Sequence, residues 1–210
     1  MILKNFVVFE GIDGAGTSTQ IGILQNSSFA EKFFFTAEPT NGETGKFLRK
    51  MLKGDVKLDP RTSAYLFAAD RAEHLWGTSG TNCGIEKQCE DGKIAVSDRY
   101  FFSSLAYQSV TCGEELPRDL QKPFPLPEIL FFFEITPETA LSRIEGRGEA
   151  KEIYEKIDFL KATEERYEKV VSEYENAKTE MRIVRIDATK TKEEVAKIIM
   201  KALEPLLNRA

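Results

Sequence analysis

The apolar positions of this chain fall into short blocks. Phe6-Val7-Val8-Phe9, Phe33-Phe34-Phe35-Thr36, Ile94-Ala95-Val96-Ser97, Ile129 to Ile135 and Arg182 to Ile186 are each brief and rich in aromatic or β-branched residues. Continuous apolar runs of that length suit strands buried on both faces of a parallel sheet. Helical spacing fills the intervals: Ser18 to Gln25, Gly45 to Leu52, Pro60 to His74, a helix opened by Thr136-Pro137-Glu138, and Thr191 to Leu203. Pro60 and Pro137 suit a first helical turn, where no backbone N–H is needed, and Thr136 suits the N-cap before it. Strands alternating with helices predict an α/β fold, a three-layer sandwich whose five-stranded parallel sheet is flanked by helices.

On such a sheet, ligands bind at the carboxyl ends of the strands. Gly11, Glu38, Asp98 and Arg99 all stand at predicted strand ends, and that convergence marks the candidate site. Residues 145–158, EGRGEAKEIYEKID, are dense in both charges. They read either as a solvated loop and helix start or as a small lid over bound phosphates. The alternating charges of Glu164 to Lys178 read as a solvated helix face. Phe131 to Phe133 read as a buried central strand, and Trp76 as structural. His74, a lone histidine with no partner motif, reads as a helix-end residue.

Bulk composition narrows the classes. The 210 residues suit one domain, 1–210, and the 41% hydrophobic and 30% charged content is that of a soluble globular chain. A net charge of −5 with scattered Lys and Arg gives no footprint for a nucleic-acid polymer. Cys83, Cys89 and Cys112 form no C-x-x-C pair, which argues against zinc or a disulfide framework and for reduced thiols. No run approaches the roughly 20 apolar residues of a membrane span, and the start of the chain has no long apolar leader core. A cytoplasmic location is expected.

The chemistry begins at FVVFEGIDGAGTSTQ, Phe6 to Gln20. Strand, glycine-rich turn and helix start follow in the order of a phosphate-binding loop, G-x-x-x-x-G-K-[ST]. Gly11 and Gly16 fill the glycine positions and Ser18 the hydroxyl position, but Thr17 stands where the lysine belongs. Gly11, Gly14 and Gly16 let backbone N–H groups turn inward onto phosphate oxygens, and the helix start adds partial positive charge. Binding through amides, with Ala15 and Thr19 completing the wrap, survives the loss of the lysine. Phosphoryl transfer needs charge stabilisation as well, so another cation must fill the gap. Arg143, Arg147 and Lys151 are the candidates.

The full set of segments resembles the thymidylate kinase family of P-loop nucleoside monophosphate kinases. FEGIDGAG-STQ, EPTNGETGKFLRKML, LFAADRAEH, SDRYFFSSLAYQ, LPEILFFFEITPETALSRIEGRGE and IDATKTKEEV occur in the family's order and span nearly the whole chain. The resemblance implies a single kinase domain with its lid near 145–158, and transfer from MgATP to dTMP, giving dTDP and ADP. It implies that Phe67 stacks on the base and Arg71 hydrogen-bonds it; alone, these read as a core phenylalanine and a surface arginine. It places Glu38, Pro39, Arg49, Ser103, Ser104 and Gln108 around dTMP, Arg99 on its phosphate, and Tyr107 against the sugar's 2′ position.

The resemblance also brings Asp13 near the acceptor sugar and phosphate, assigns Ser18 and Asp98 to Mg²⁺, and sets Arg143 on the adenine side. Without it, Asp13 reads as a turn residue, Asp98-Arg99 as an ordinary ion pair and Tyr107 as a buried tyrosine. Asp13, Asp98, Arg99 and Arg147 are then the candidate catalytic residues. Family members are usually homodimers, which sets the expected assembly. Two departures stand out: Glu152 lies where a lid arginine is expected, and Ala37 precedes Glu38 in place of an arginine. Two rivals stay open: a kinase for another deoxynucleotide, and a nucleotide-binding relative with weak or no turnover, motivated by Thr17 and the thinned lid.

Overall fold

The computed structural model describes residues 1–77, 84–144 and 150–209, with the backbone alone for 150–156. In chain order the elements are β1 (Ile2–Glu10), α1 (Thr17–Gln25), β2 (Phe33–Ala37), α2 (Glu43–Leu52), α3 (Pro60–Trp76), α4 (Ile85–Glu90) and β3 (Ile94–Asp98). Next come α5 (Phe101–Ser103), a π turn (Ser104–Gln108) and α6 (Ser109–Cys112). Then follow α7 (Glu115–Gln121), β4 (Leu126–Glu134), α8 (Pro137–Ile144), α9 (Ala150–Asn176), β5 (Arg182–Asp187) and α10 (Lys192–Leu207).

The five strands form one parallel sheet in the order β2-β3-β1-β4-β5. Helices cover it, as the strand–helix alternation predicts. The apolar blocks are its centre: Phe6 to Phe9 are fully buried, and Phe131 and Phe133 pack their rings against Phe9. Burying one such side chain contributes roughly 1.5–3 kcal/mol. Two inner strands start earlier than the apolar runs suggest. β1 begins at Ile2 and β4 at Leu126, because backbone pairing extends past the buried side chains.

Caps fix several helix starts. Asp59 accepts the N–H of Arg61, with Pro60 in the first turn of α3. Thr191 and Glu194 form a reciprocal capping box at α10. α4 and α7 were not visible in the spacing, being too short to show a period. α9 is amphipathic as expected of a solvated helix, yet its inner stripe of Leu160, Thr163, Tyr167, Val170 and Val171 is buried. Cys89 and Cys112 are free thiols, and Cys83 lies outside the described residues. Among the described residues no helix is long and apolar enough to cross a membrane.

Since all five strands run parallel, their carboxyl ends share one edge. Glu10, Ala37, Asp98, Glu134 and Asp187 close the strands there. The loops that leave this edge carry the site.

Candidate active site

β1 ends at Glu10, and the chain turns through residues 11–16 into α1. Gly14 and Gly16 adopt φ of 86° and 98°, a left-handed conformation that strains any side chain. A Cβ on Gly14 would also stand 2.5 Å from the carbonyl oxygen of Ala140. Gly16 is the N-cap and supplies no side-chain cap, so the first N–H groups of α1 stay open. They face a cavity of about 730 Å³ lined by Gly14, Ala15, Gly16, Thr17, Ser18 and Thr19. Gly11 lies outside that lining, packed so closely that a Cβ would meet the Phe133 carbonyl oxygen at 2.9 Å.

Ser18, Asp98 and Arg143 are among the side chains that line this cavity. The Ser18 hydroxyl donates to Asp98 Oδ2 at 2.7 Å, while Asp98 Oδ1 is buried with no hydrogen-bond partner. A hydroxyl beside a carboxylate with a spare oxygen fits Mg²⁺, which prefers oxygen donors and keeps most of its own waters. The Arg143 guanidinium donates to the carbonyl oxygens of Gly14, at 3.4 Å, and Ala188, at 2.8 Å. It thereby spans the loop and the segment after β5. Arg147 lies outside the described residues, as does the side chain of Lys151.

A second cavity, of about 270 Å³, opens beside the first. Its lining brings together Glu38, Pro39, Arg49, Phe67, Arg71, Ser103, Ser104, Tyr107 and Gln108. These come from the loop after β2, from α2 and α3, and from the segment after β3. Asp13 and Arg99 line both cavities and form the wall between them.

Arg71 is almost wholly buried. Its Nη2 lies 2.8 Å from Glu38 Oε2 and donates to Ser104 Oγ at 2.9 Å, so its fork is fixed on two sides. His74, one turn on, holds the other Glu38 oxygen at 3.2 Å and contacts the Thr36 hydroxyl at 2.5 Å. Burial works to raise the Glu38 carboxyl, but the Arg71 charge and the His74 hydrogen bond outweigh it and hold it below the usual range. Asp70 accepts the backbone N–H and the hydroxyl of Thr40, both at 2.7 Å, and so pins the loop after β2 against α3. Arg49 donates to the Pro39 carbonyl oxygen.

Arg99 follows β3 with φ of 74°, and its N–H donates to the Phe9 carbonyl oxygen at 2.9 Å. That turn aims its side chain across the wall between the cavities. Nη2 meets Asp13 Oδ1 at 2.5 Å, and Nη1 donates to the Gly11 carbonyl oxygen, Ser103 Oγ and Tyr167 OH at 3.1 to 3.2 Å. The guanidinium lies over the Tyr107 ring, whose hydroxyl accepts the Asp13 N–H at 3.0 Å. Beneath it Glu10 is fully buried. Burial pushes its carboxyl up to about 7, against the pull of the Arg99 charge and the donors from Ser103, Tyr167 and Tyr100.

The family model for thymidylate kinase matches residues 9–199. The chain belongs to the thymidylate kinase family. A protein assigned as a thymidylate kinase in Treponema pallidum is 41% identical over 200 residues, covering 95% of this chain and 94% of that one. A second, assigned in Methanocaldococcus jannaschii, is 38% identical over 175 residues, covering 83% and 85%. The thymidylate kinase of Leptospira borgpetersenii is 36% identical over 200 residues, covering 90% and 88%.

In this member of the thymidylate kinase family several site residues escaped the sequence reading. His74 is the partner of Glu38, thirty-six residues away, and no local pattern joins the two. Tyr167 sits within a helix that reads as a charged face. Glu10 did leave a signal: an acidic residue closing an apolar run, directly before the glycine turn.

Proposed function

We propose that the chain transfers the γ-phosphoryl group of ATP to the phosphate of dTMP, giving dTDP and ADP. The shared Asp13–Arg99 wall supports this best. It separates an anion-ready cavity under the α1 N-terminus from a smaller pocket with one aromatic face and one fixed arginine fork. A donor in the first and an acceptor in the second would meet at Arg99, in line across the wall.

In this reading Phe67 stacks on the thymine and Arg71 hydrogen-bonds it, pre-aimed by Glu38. Tyr107 crowds the 2′ position and favours deoxyribose. Arg99 and Arg49 take the acceptor phosphate, with Asp13 releasing Arg99 to it. Pro39, Ser103, Ser104 and Gln108 shape the pocket. The loop amides from Gly14 to Thr19 hold the donor phosphates, with Gly11 setting the turn. Ser18 and Asp98 would hold Mg²⁺, which when bound would neutralise charge on the donor's phosphates. The acceptor phosphate is largely dianionic near neutral pH, so no general base is needed.

Thr17 occupies the position of the loop lysine and brings no charge. Arg143 is the described cation best placed to replace it, since its guanidinium hangs on the loop's own carbonyl at Gly14. Arg147 and Lys151 in the lid, residues 145–158, are the alternatives, and lid closure excludes water from the transfer. The protein works in the cytoplasm as a homodimer in this reading, without a nucleic-acid polymer or membrane as partner.

The test is formation of ADP and dTDP from MgATP and dTMP, with other deoxynucleoside monophosphates as controls. Arg143→Ala should lower kcat about a hundredfold, as loss of one charge-stabilising donor does, and Thr17→Lys should recover much of it. Nucleotide binding without any dTDP would instead support the binding-protein reading, whose motivation is Thr17.

A further inference from the structure

We propose that Glu10 is a positioning residue for the acceptor side of the site: with Ser103 and Tyr167 it sets the Arg99 guanidinium and ties α9 to it. This rests on the reading of Arg99 as the acceptor-phosphate arginine.

The hydrogen bonds around Glu10 can be counted. Oε1 accepts the backbone N–H of Tyr100 at 2.8 Å and of Ser103 at 3.1 Å. Oε2 accepts the Ser103 hydroxyl at 2.7 Å and the Tyr167 hydroxyl at 2.8 Å. An ionised carboxylate has about four lone-pair sites, and four donors fill them. The two backbone N–H groups can only donate, so the orientation of the carboxylate is fixed. Ser103 Oγ and Tyr167 OH also lie 2.7 Å apart, so two hydroxyl protons serve three contacts, and the Oε2 charge draws both toward itself and leaves none between the hydroxyls. Their lone pairs are left for Arg99 Nη1, which donates to Ser103 Oγ at 3.1 Å and Tyr167 OH at 3.2 Å.

Glu10 therefore decides which way two hydroxyls face, and those hydroxyls decide where Arg99 rests. The carboxylate makes no hydrogen bond to Arg99; besides the through-space pull of the two charges, it reaches Arg99 through Ser103 and Tyr167. Tyr167 belongs to α9, while Ser103 and Tyr100 follow β3 and Glu10 precedes the phosphate loop. Three parts of the chain far apart in sequence thus meet at one buried carboxylate. Any shift of α9 would be felt at Arg99 through the Tyr167 hydroxyl.

Glu10→Gln is the sharp variant. Its amide oxygen must face the two backbone donors, so its NH₂ faces the hydroxyls. The hydroxyls then accept from residue 10, and their protons turn toward each other, 2.7 Å apart, and toward Arg99, whose N–H groups lose an acceptor. Steady-state kinetics on the full chain should show the dTMP KM raised about tenfold, the scale of one charged hydrogen bond, with the ATP KM within about twofold of wild type. Tyr167→Phe should move the same parameter about threefold. The double variant should be no worse than Glu10→Gln alone, since that variant already disturbs the Tyr167 contact.

Equal shifts in both KM values, or additive effects in the double variant, would overturn the proposal. So would a folded Tyr167→Phe protein with unchanged dTMP KM, a result that stands even if Glu10→Gln fails to fold. Arg99→Ala separates the two readings. If it leaves the dTMP KM untouched, the acceptor-site reading itself falls. If it raises that KM strongly while Glu10→Gln and Tyr167→Phe do not, only the role of Glu10 falls.

Discussion

Glu10 and Glu38 are the same residue type at the carboxyl edge of one sheet, one closing β1 and the other following β2, and both are buried. Yet the carboxyl of Glu10 is pushed up to about 7, while that of Glu38 is held below the usual range. Desolvation is the largest influence on each, and it acts in the same direction. The difference is the partner. Glu38 has a guanidinium at 2.8 Å and an imidazole at 3.2 Å. Glu10 is met by two backbone N–H groups and two hydroxyls, with the Arg99 charge one residue further off. Neutral donors satisfy a buried carboxylate's geometry without cancelling its charge. One glutamate is thus built as a fixed ion pair with Arg71. The other is a hydrogen-bond hub with a charge in balance.

The comparison can be broken most severely at Arg71. Arg71→Ala removes the charge that does most to hold Glu38 down and leaves the buried carboxylate with His74 alone. Chemical denaturation near neutral pH should show a loss of about 3–5 kcal/mol. A loss under about 1 kcal/mol would mean that Glu38 simply takes up a proton or finds water.

A pH series sharpens it next. A carboxyl at about 7 in the folded chain, against 4.5 for an ordinary glutamate, binds more protons folded than unfolded between those values. Its contribution to stability is therefore fully present below 4.5 and is lost as pH rises toward 7, by about 3 kcal/mol in all. Glu38 tilts the other way: its contribution is present above the ordinary glutamate range and is lost as pH falls through its lowered folded value. Glu10→Gln should flatten the fall between 4.5 and 7 and leave the acid-side loss in place. An unchanged slope in that variant would show that Glu10 is not the group that titrates.

The smallest effect is expected at His74. His74→Ala removes one of two partners from Glu38 and leaves the arginine, so about 1 kcal/mol should be lost. The dTMP KM should rise only slightly, since Arg71 keeps its contact with Ser104. A loss as large as that of Arg71→Ala would make the imidazole, and not the guanidinium, the main partner of Glu38.

Much of this was legible in the chain. The strand blocks, the glycine turn, the capped helix starts and the family's ordered segments lie in local sequence, because strand burial, left-handed turns and capping depend on residues a few positions apart. The eleven residues expected around dTMP line one pocket, and all but Gly11 and Arg147 of those expected around the donor phosphates line the other, with Arg147 outside the described residues. The sequence by itself therefore determined the fold class, the phosphate loop with its Thr17, and which residues gather at the strand ends.

Only the tertiary structure decided what those residues do to one another. His74 reaches Glu38 across thirty-six positions and Tyr167 reaches Glu10 across one hundred and fifty-seven. No periodicity encodes such a pairing, because it arises where α3 and α9 pack against the sheet. The same packing sets how much water each carboxylate loses and which donor replaces it. That is why two glutamates that look alike in the sequence are shifted in opposite directions in the folded chain.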